Sequence, residues 1–156
     1  VLLFTRKFGV YEVVFFWGVA GASNSVITPD LEIGFPSVDF TVYFISHSGI
    51  IIGVLLATWG LKMRPTFRSV VKAFLIANLY AIPLIGVNLL VGSNYMFLCE
   101  PPVGTTPLFF LPWPWYMFFL EPFAFLLFLL LYSPFWLGDR FRRPGTGSPA
   151  DEQASG

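Results

Sequence analysis

Apolar residues run through this chain in four long stretches, at about 8–27, 39–61, 67–91 and 113–137, and the polar residues gather between them. Each stretch is near the roughly 20 residues that a helix needs to cross a hydrocarbon core of about 30 Å. The Gly and Pro residues inside them do not break the pattern, because spanning helices tolerate both. The pattern predicts an all-α fold: a polytopic transmembrane helix bundle with four spans, occupying residues 1–137. Residues 138–156 are expected to form a disordered tail, since Pro144 to Gly156 are rich in Gly, Ser, Ala and Pro and cannot build a packed core. No repeat of fixed period is visible.

Charge placement adds an orientation. All nine Lys and Arg residues fall in three clusters: Arg6 and Lys7; Lys62, Arg64, Arg68 and Lys72; Arg140, Arg142 and Arg143. The loop at 28–38, with Asp30 and Glu32, and the loop at 92–112, with Glu100, hold no cation. Cations mark cytoplasmic loops, so the N-terminus, the turn at 62–66 and the C-terminal tail are expected inside and the two longer loops outside.

Composition agrees with a bilayer as the main solvent: 56% of residues are hydrophobic, 19% aromatic and 12% charged, against ~25% charged in a soluble domain. Net charge is zero and the cations sit at span ends, which gives no basis for a nucleic-acid partner. The single cysteine excludes an internal disulfide and a multi-cysteine metal site. A single histidine with no H-x-x-x-H motif and no phosphate-binding glycine loop leaves no metal or cofactor expected. Membrane lipids are the expected partners, together with a partner membrane subunit on any uncovered helix face.

Small residues suggest how the spans pack. Ser46, Gly49, Gly53, Ala57 and Gly60 form a ridge on the second span, and Gly18, Gly21, Ala22 and Ser25 do so on the first, each allowing close backbone approach. Trp113, Trp115 and Tyr116 fit an external aromatic belt and Trp136 an internal one.

Ionisable and amide side chains at membrane depth are costly, and each is a functional hypothesis by default. His47 and Glu121 each lie about eight residues from the external end of their spans, about 12 Å deep at about 1.5 Å per residue. Pro122 removes the N–H that the Phe118 carbonyl would use, freeing an acceptor beside Glu121. Glu12 lies near the opposite end of the first span, within reach of Arg6 and Lys7, and reads as structural. The outer half then collects Asn24, His47, Asn88, Asn94, Tyr95, Cys99 and Glu121.

If these converge, Cys99 is a nucleophile, His47 its base and Glu121 the group that orients the base, with Asn24, Asn88, Asn94 and Tyr95 around the substrate. The bland alternatives are a histidine bonded to a neighbouring helix, a cysteine serving as a small apolar residue, and a glutamate in a structural hydrogen bond. Sequence fixes their depth and not their azimuth.

Three strings also carry a resemblance. Arg64-Pro65-Thr66, Asn94-Tyr95-Met96-Phe97-Leu98 and Pro112-Trp113-Pro114-Trp115-Tyr116 resemble the YwaF-type bacterial integral membrane family, and His47-Ser48-Gly49 looks like that family's histidine in the corresponding span. The resemblance runs from about Gly9 to Leu137. That family is related to the animal acyltransferase transmembrane protein 164, which moves acyl chains between phospholipids using a cysteine. The resemblance therefore implies lipid acyl transfer in a bacterial inner membrane protein. It supports His47, while no match to the animal nucleophile falls on Cys99. Family members usually carry further helices upstream, and this chain, which opens without Met, is expected to lack them or to begin at a late start site. The competing expectation is a non-enzymatic accessory subunit or a small transporter fragment of a membrane complex.

Overall fold

The computed structural model describes residues 2–29, 31, 33–102 and 109–141. A short helix, α1 (Leu2–Thr5), precedes four long ones: α2 (Phe8–Ile27), α3 (Val38–Leu55), α4 (Phe67–Val91) and α5 (Trp115–Phe141). No strand occurs among the described residues. The four long helices, α3 counted with the turn Leu56–Gly60 that extends it, are long and apolar enough to cross a membrane. The protein is therefore a multi-pass membrane protein, as the hydropathy predicts.

Local chemistry sets the helix ends. The Ser37 hydroxyl accepts from the Phe40 N–H at 3.1 Å and starts α3. Thr66 and Ser69 exchange side-chain and backbone bonds as a capping box and start α4, which ends on left-handed Gly92. The end of α3 is unusual. Residues Leu56–Gly60 widen to a π turn, with the Leu61 N–H on the Leu56 carbonyl at 3.1 Å, and the chain leaves it through Lys62 at φ 54°.

The helix at the centre of the bundle is α2. It packs against α3, α4 and α5, and α5 also packs on α4, so that α3 and α5 flank the central pair. The core is aromatic and comes mainly from α2: Tyr11, Phe15 and Phe16 are buried against Val54, Val70, Ala73 and Phe128. Many Leu, Ile, Val and Phe side chains of α3, α4 and α5 face outward, as lipid-facing positions should. Every described cation lies at the helix ends of one side: Lys72 Nζ is 2.6 Å from Glu12 Oε2, and an Arg64 nitrogen is 2.9 Å from Asp139. Residues 62–72, the start of α2 and the end of α5 thus form one basic end.

Three sequence expectations change. The last helix continues through Gly138, Asp139, Arg140 and Phe141, four residues expected to begin the tail, because Asp139 pairs with Arg64 and the Arg140 guanidinium lies over the Trp136 ring, 5.6 Å from its centroid. The expected disorder of 142–156 lies outside the described residues. The two glycine ridges also part company. A methyl group on Gly18 would meet Ile50 Cγ2 at 3.0 Å, so α2 and α3 do touch there, whereas one on Gly21, Gly49 or Gly53 would meet nothing within 4 Å.

Third, Glu12 pairs across the bundle and not with its sequence neighbours. Its carboxylate, 6% exposed, accepts from the Ser69 hydroxyl at 2.7 Å and from Lys72 at 2.6 Å. Beside it the Tyr11 hydroxyl donates toward the Met63 carbonyl at 3.0 Å and lies 2.9 Å from the Thr58 hydroxyl. The Trp17 indole N–H donates to the Ala73 carbonyl at 3.0 Å. These bonds knit α2 to the π turn and to α4.

Candidate functional site

At the end opposite the cations, the segment after α4 is built by side chains. Asn88, 1% exposed, accepts from the Tyr95 N–H at 2.9 Å and from the Ser93 hydroxyl at 3.0 Å, and donates to the Tyr95 carbonyl at 3.0 Å. Asn94 accepts from the N–H groups of Cys99 and Glu100 at 3.0 and 3.1 Å and donates to the Glu100 carbonyl at 2.8 Å. From α5 and its approach, the Tyr116 hydroxyl donates to the Phe97 carbonyl at 2.6 Å and the Trp113 indole N–H to the Leu98 carbonyl at 3.2 Å. Four backbone groups flanking Met96, the Tyr95 N–H and carbonyl and the carbonyls of Phe97 and Leu98, are therefore held from outside the loop. Such clamping is needed, because Met96 and Phe97 have φ values of 59° and 53°, where a side chain with a Cβ is strained.

The product of this framework is a fixed backbone under a free, half-buried thiol, Cys99. Asn88 and Asn94, expected to face a substrate, have most of their hydrogen-bonding capacity taken up by the chain itself. Tyr95 takes part through its peptide while its side chain stays exposed. Asn24 is tied to Thr28 at the end of α2, its carbonyl accepting from the Thr28 hydroxyl at 2.9 Å. Tyr116, expected in the external belt, is fully buried, and its ring meets that of Phe109 at a tilt with centroids 5.0 Å apart.

His47 stands on α3. Its Nδ1 lies 2.8 Å from the Tyr43 carbonyl, and its ring sits on the Tyr43 ring at 4.2 Å between centroids. The Tyr43 hydroxyl in turn donates to the Ser25 carbonyl of α2 at 3.1 Å. A carbonyl can only accept, so Nδ1 carries the proton in this bond and neutral His47 keeps its lone pair on Nε2. The Tyr43 carbonyl thus performs the orienting task expected of Glu121.

Glu121 belongs elsewhere. Its carboxylate accepts from the Asn78 amide of α4 at 2.9 Å, and Asn78 also donates to the Phe74 carbonyl at 3.2 Å. Since α3 and α5 flank α2 and α4, His47 and Glu121 answer to different helices. Among the described residues no hydrogen bond joins any two of His47, Cys99 and Glu121, and no group of three or more His, Cys, Asp or Glu side chains is arranged to hold a metal ion. The freed carbonyls find different answers too. Ser133 donates to the Leu130 carbonyl at 2.8 Å, supplying the hydrogen bond that Pro134 denies it. No side chain among the described residues does the same for Phe118, beside Glu121.

Sequence reasoning missed the Tyr43 carbonyl and the Tyr116 clamp. A helical residue four positions before a lone histidine is a usable signal for the first. The second lay in the depth shared by Tyr116 and the loop, which belt reasoning had already assigned.

No curated protein and no solved structure matches the chain. A family model does, over residues 1–132, and its description is the TMEM164 family. The match spans α1 through α4, the clamped Cys99 loop and most of α5, so the chain belongs to the TMEM164 family.

Proposed function

We propose that this protein is a lipid-modifying membrane enzyme, an acyltransferase whose reacting groups lie in the half of the bundle away from the basic end. The observation that carries the reading is the thiol of Cys99 on a loop held by Asn88, Asn94, Trp113 and Tyr116. Family membership supports it through the lipid acyl transfer that the resemblance implies. In this reading the Cys99 sulfur attacks the ester carbonyl of a phospholipid and forms a thioester. The carbon–oxygen ester bond breaks, and the leaving lysolipid oxygen takes the thiol proton. A second lysolipid hydroxyl then attacks the thioester, regenerating the thiol.

His47 Nε2 is the base that relays the proton, oriented by the Tyr43 carbonyl. The chemistry requires the bound ester to lie against Cys99 while its leaving oxygen is within reach of His47. Glu121 takes no part in that relay and, with Asn78, forms a polar contact for the lipid head group. By the positive-inside rule the basic end faces the cytoplasm, in a bacterial inner membrane, and the reacting half faces the outer leaflet.

The test uses purified protein in liposomes that contain a phospholipid with a labelled acyl chain and an unlabelled lysophospholipid. Wild type should move label to the lysolipid, C99S should abolish transfer, and H47A should slow it by ~10²-fold or more. Full transfer by folded C99S would sink the covalent mechanism.

A second reading has its own observation. Glu121 is an exposed carboxyl on a membrane-spanning helix, which a polar partner would shield. An accessory-subunit role predicts co-purification of another membrane chain that E121A releases. A monodisperse monomer with transfer activity would exclude it.

A further inference from the structure

A second site lies at the basic end, and it is independent of the acyl-transfer reading. Between the π turn and α5 there is a cleft of about 500 Å³. Trp59, Pro134 and Phe135 supply apolar walls, and Lys62 and Arg64 stand at its polar margin. Trp59, inside the π turn, stands only three residues before Lys62, just beyond the turn. Within that distance the lining passes from an exposed indole to an ammonium group. This is the polarity step between the acyl chains and the phosphate of a lipid.

The charges have distinct states. Arg64 is held between Asp139, at 2.9 Å, and the face of Phe135, at 5.8 Å. Its charge already has a carboxylate partner. Lys62 makes no ion pair among the described residues.

Lys62 is also strained, with φ 54° at the position that follows the widened turn, where the Met63 N–H reaches back to the Ala57 carbonyl at 3.1 Å. That is the left-handed position at a helix end which glycine occupies at no steric cost. A lysine there makes the fold less stable than glycine would, and its charge is set at the mouth of the cleft. Strain carried by a charged residue beside a cavity is the relationship expected of a binding group.

We propose that this cleft binds the phosphate of an anionic phospholipid, phosphatidylglycerol being the simplest, with Lys62 and Arg64 on the head group and the acyl chains along Trp59, Pro134 and Phe135. Basic recesses between membrane helices are suited to such head groups. The membrane is the source of the phosphate, because the apolar walls would be left bare by a free anion.

The experiment measures binding of fluorescent phosphatidylglycerol to the full chain in neutral detergent, with phosphatidylcholine and inorganic phosphate as competitors. Wild type should prefer phosphatidylglycerol to phosphatidylcholine. K62G should bind it about five-fold more weakly, the equivalent of about 1 kcal/mol for one cation near the surface, while its thermal midpoint is unchanged or higher. R64Q should also weaken binding. D139N, which releases Arg64 from its carboxylate, should tighten it. Wild-type affinity in both K62G and R64Q would overturn the site. Displacement by inorganic phosphate at equal concentration would overturn the lipid assignment in favour of a free anion. None of these results bears on acyl transfer at Cys99, at the other end of the bundle.

Discussion

The hydroxyl of Tyr116 donates to the carbonyl of Phe97 over 2.6 Å, across 19 positions of sequence, and Phe97 is itself left-handed. One fully buried phenol therefore ties the start of α5 to the strained turn that leads to Cys99. Removing the hydroxyl leaves a part-buried carbonyl without its donor. Y116F is expected to lose about 1–3 kcal/mol of stability. It should also raise the rate at which a maleimide labels Cys99, because the loop opens more often. An unchanged labelling rate would show that the loop is held without this bond.

The Glu12–Lys72 pair predicts an asymmetry. The Glu12 side chain is 9% exposed and that of Lys72 47%, so each partner fares differently when left alone. Without Glu12, Lys72 turns to water at the basic end. Without Lys72, a buried carboxylate keeps only Ser69. K72M should therefore cost roughly 3 kcal/mol, clearly more than E12Q, for which about 1 kcal/mol is expected. Unfolding in mixed micelles measures both, and equal losses would contradict the burial argument.

Ser133 and Pro134 predict a rescue. In S133A the Leu130 carbonyl has neither a hydroxyl nor the N–H that Pro134 lacks, and a loss of about 1 kcal/mol is expected. P134A restores the backbone donor, so the double variant should recover that loss. A double-mutant cycle reads the coupling directly, and additive losses would refute it.

The glycines of α2 and α3 should differ sharply. Gly18 faces Ile50 at 3.0 Å from where a Cβ would stand, whereas Gly53 faces open space. G18V is expected to destabilise the protein by roughly 1–3 kcal/mol through overpacking. G53A should be neutral in the isolated chain. A destabilised G53A in the membrane, but not in detergent, would reveal a neighbour seated on that face.

Hydropathy made the spans legible: α2 and α4 begin and end at the predicted residues, and the cation clusters did mark one end. Azimuth was not legible. His47 bonds its own helix and Glu121 bonds Asn78, because packing order around α2 is decided by side-chain fit that no single span encodes. Tyr116 shows the same limit from the other side. Its composition and position suit a membrane belt, and only the tertiary path of residues 93–100 turns it inward. The partner of Glu12 was hidden by distance, as Ser69 and Lys72 arrive 57 and 60 positions later.

That separation orders the assembly of the bundle in time. As the chain is made, α2 and its Glu12 precede α3 and α4, and the carboxylate has no partner until α3, the π turn and the first turns of α4 have followed. The central helix thus carries a buried acid whose partners come only with the start of α4. Arrival of Ser69 and Lys72 satisfies the carboxylate, while the core contact with Phe128 and the Arg64–Asp139 pair wait for α5.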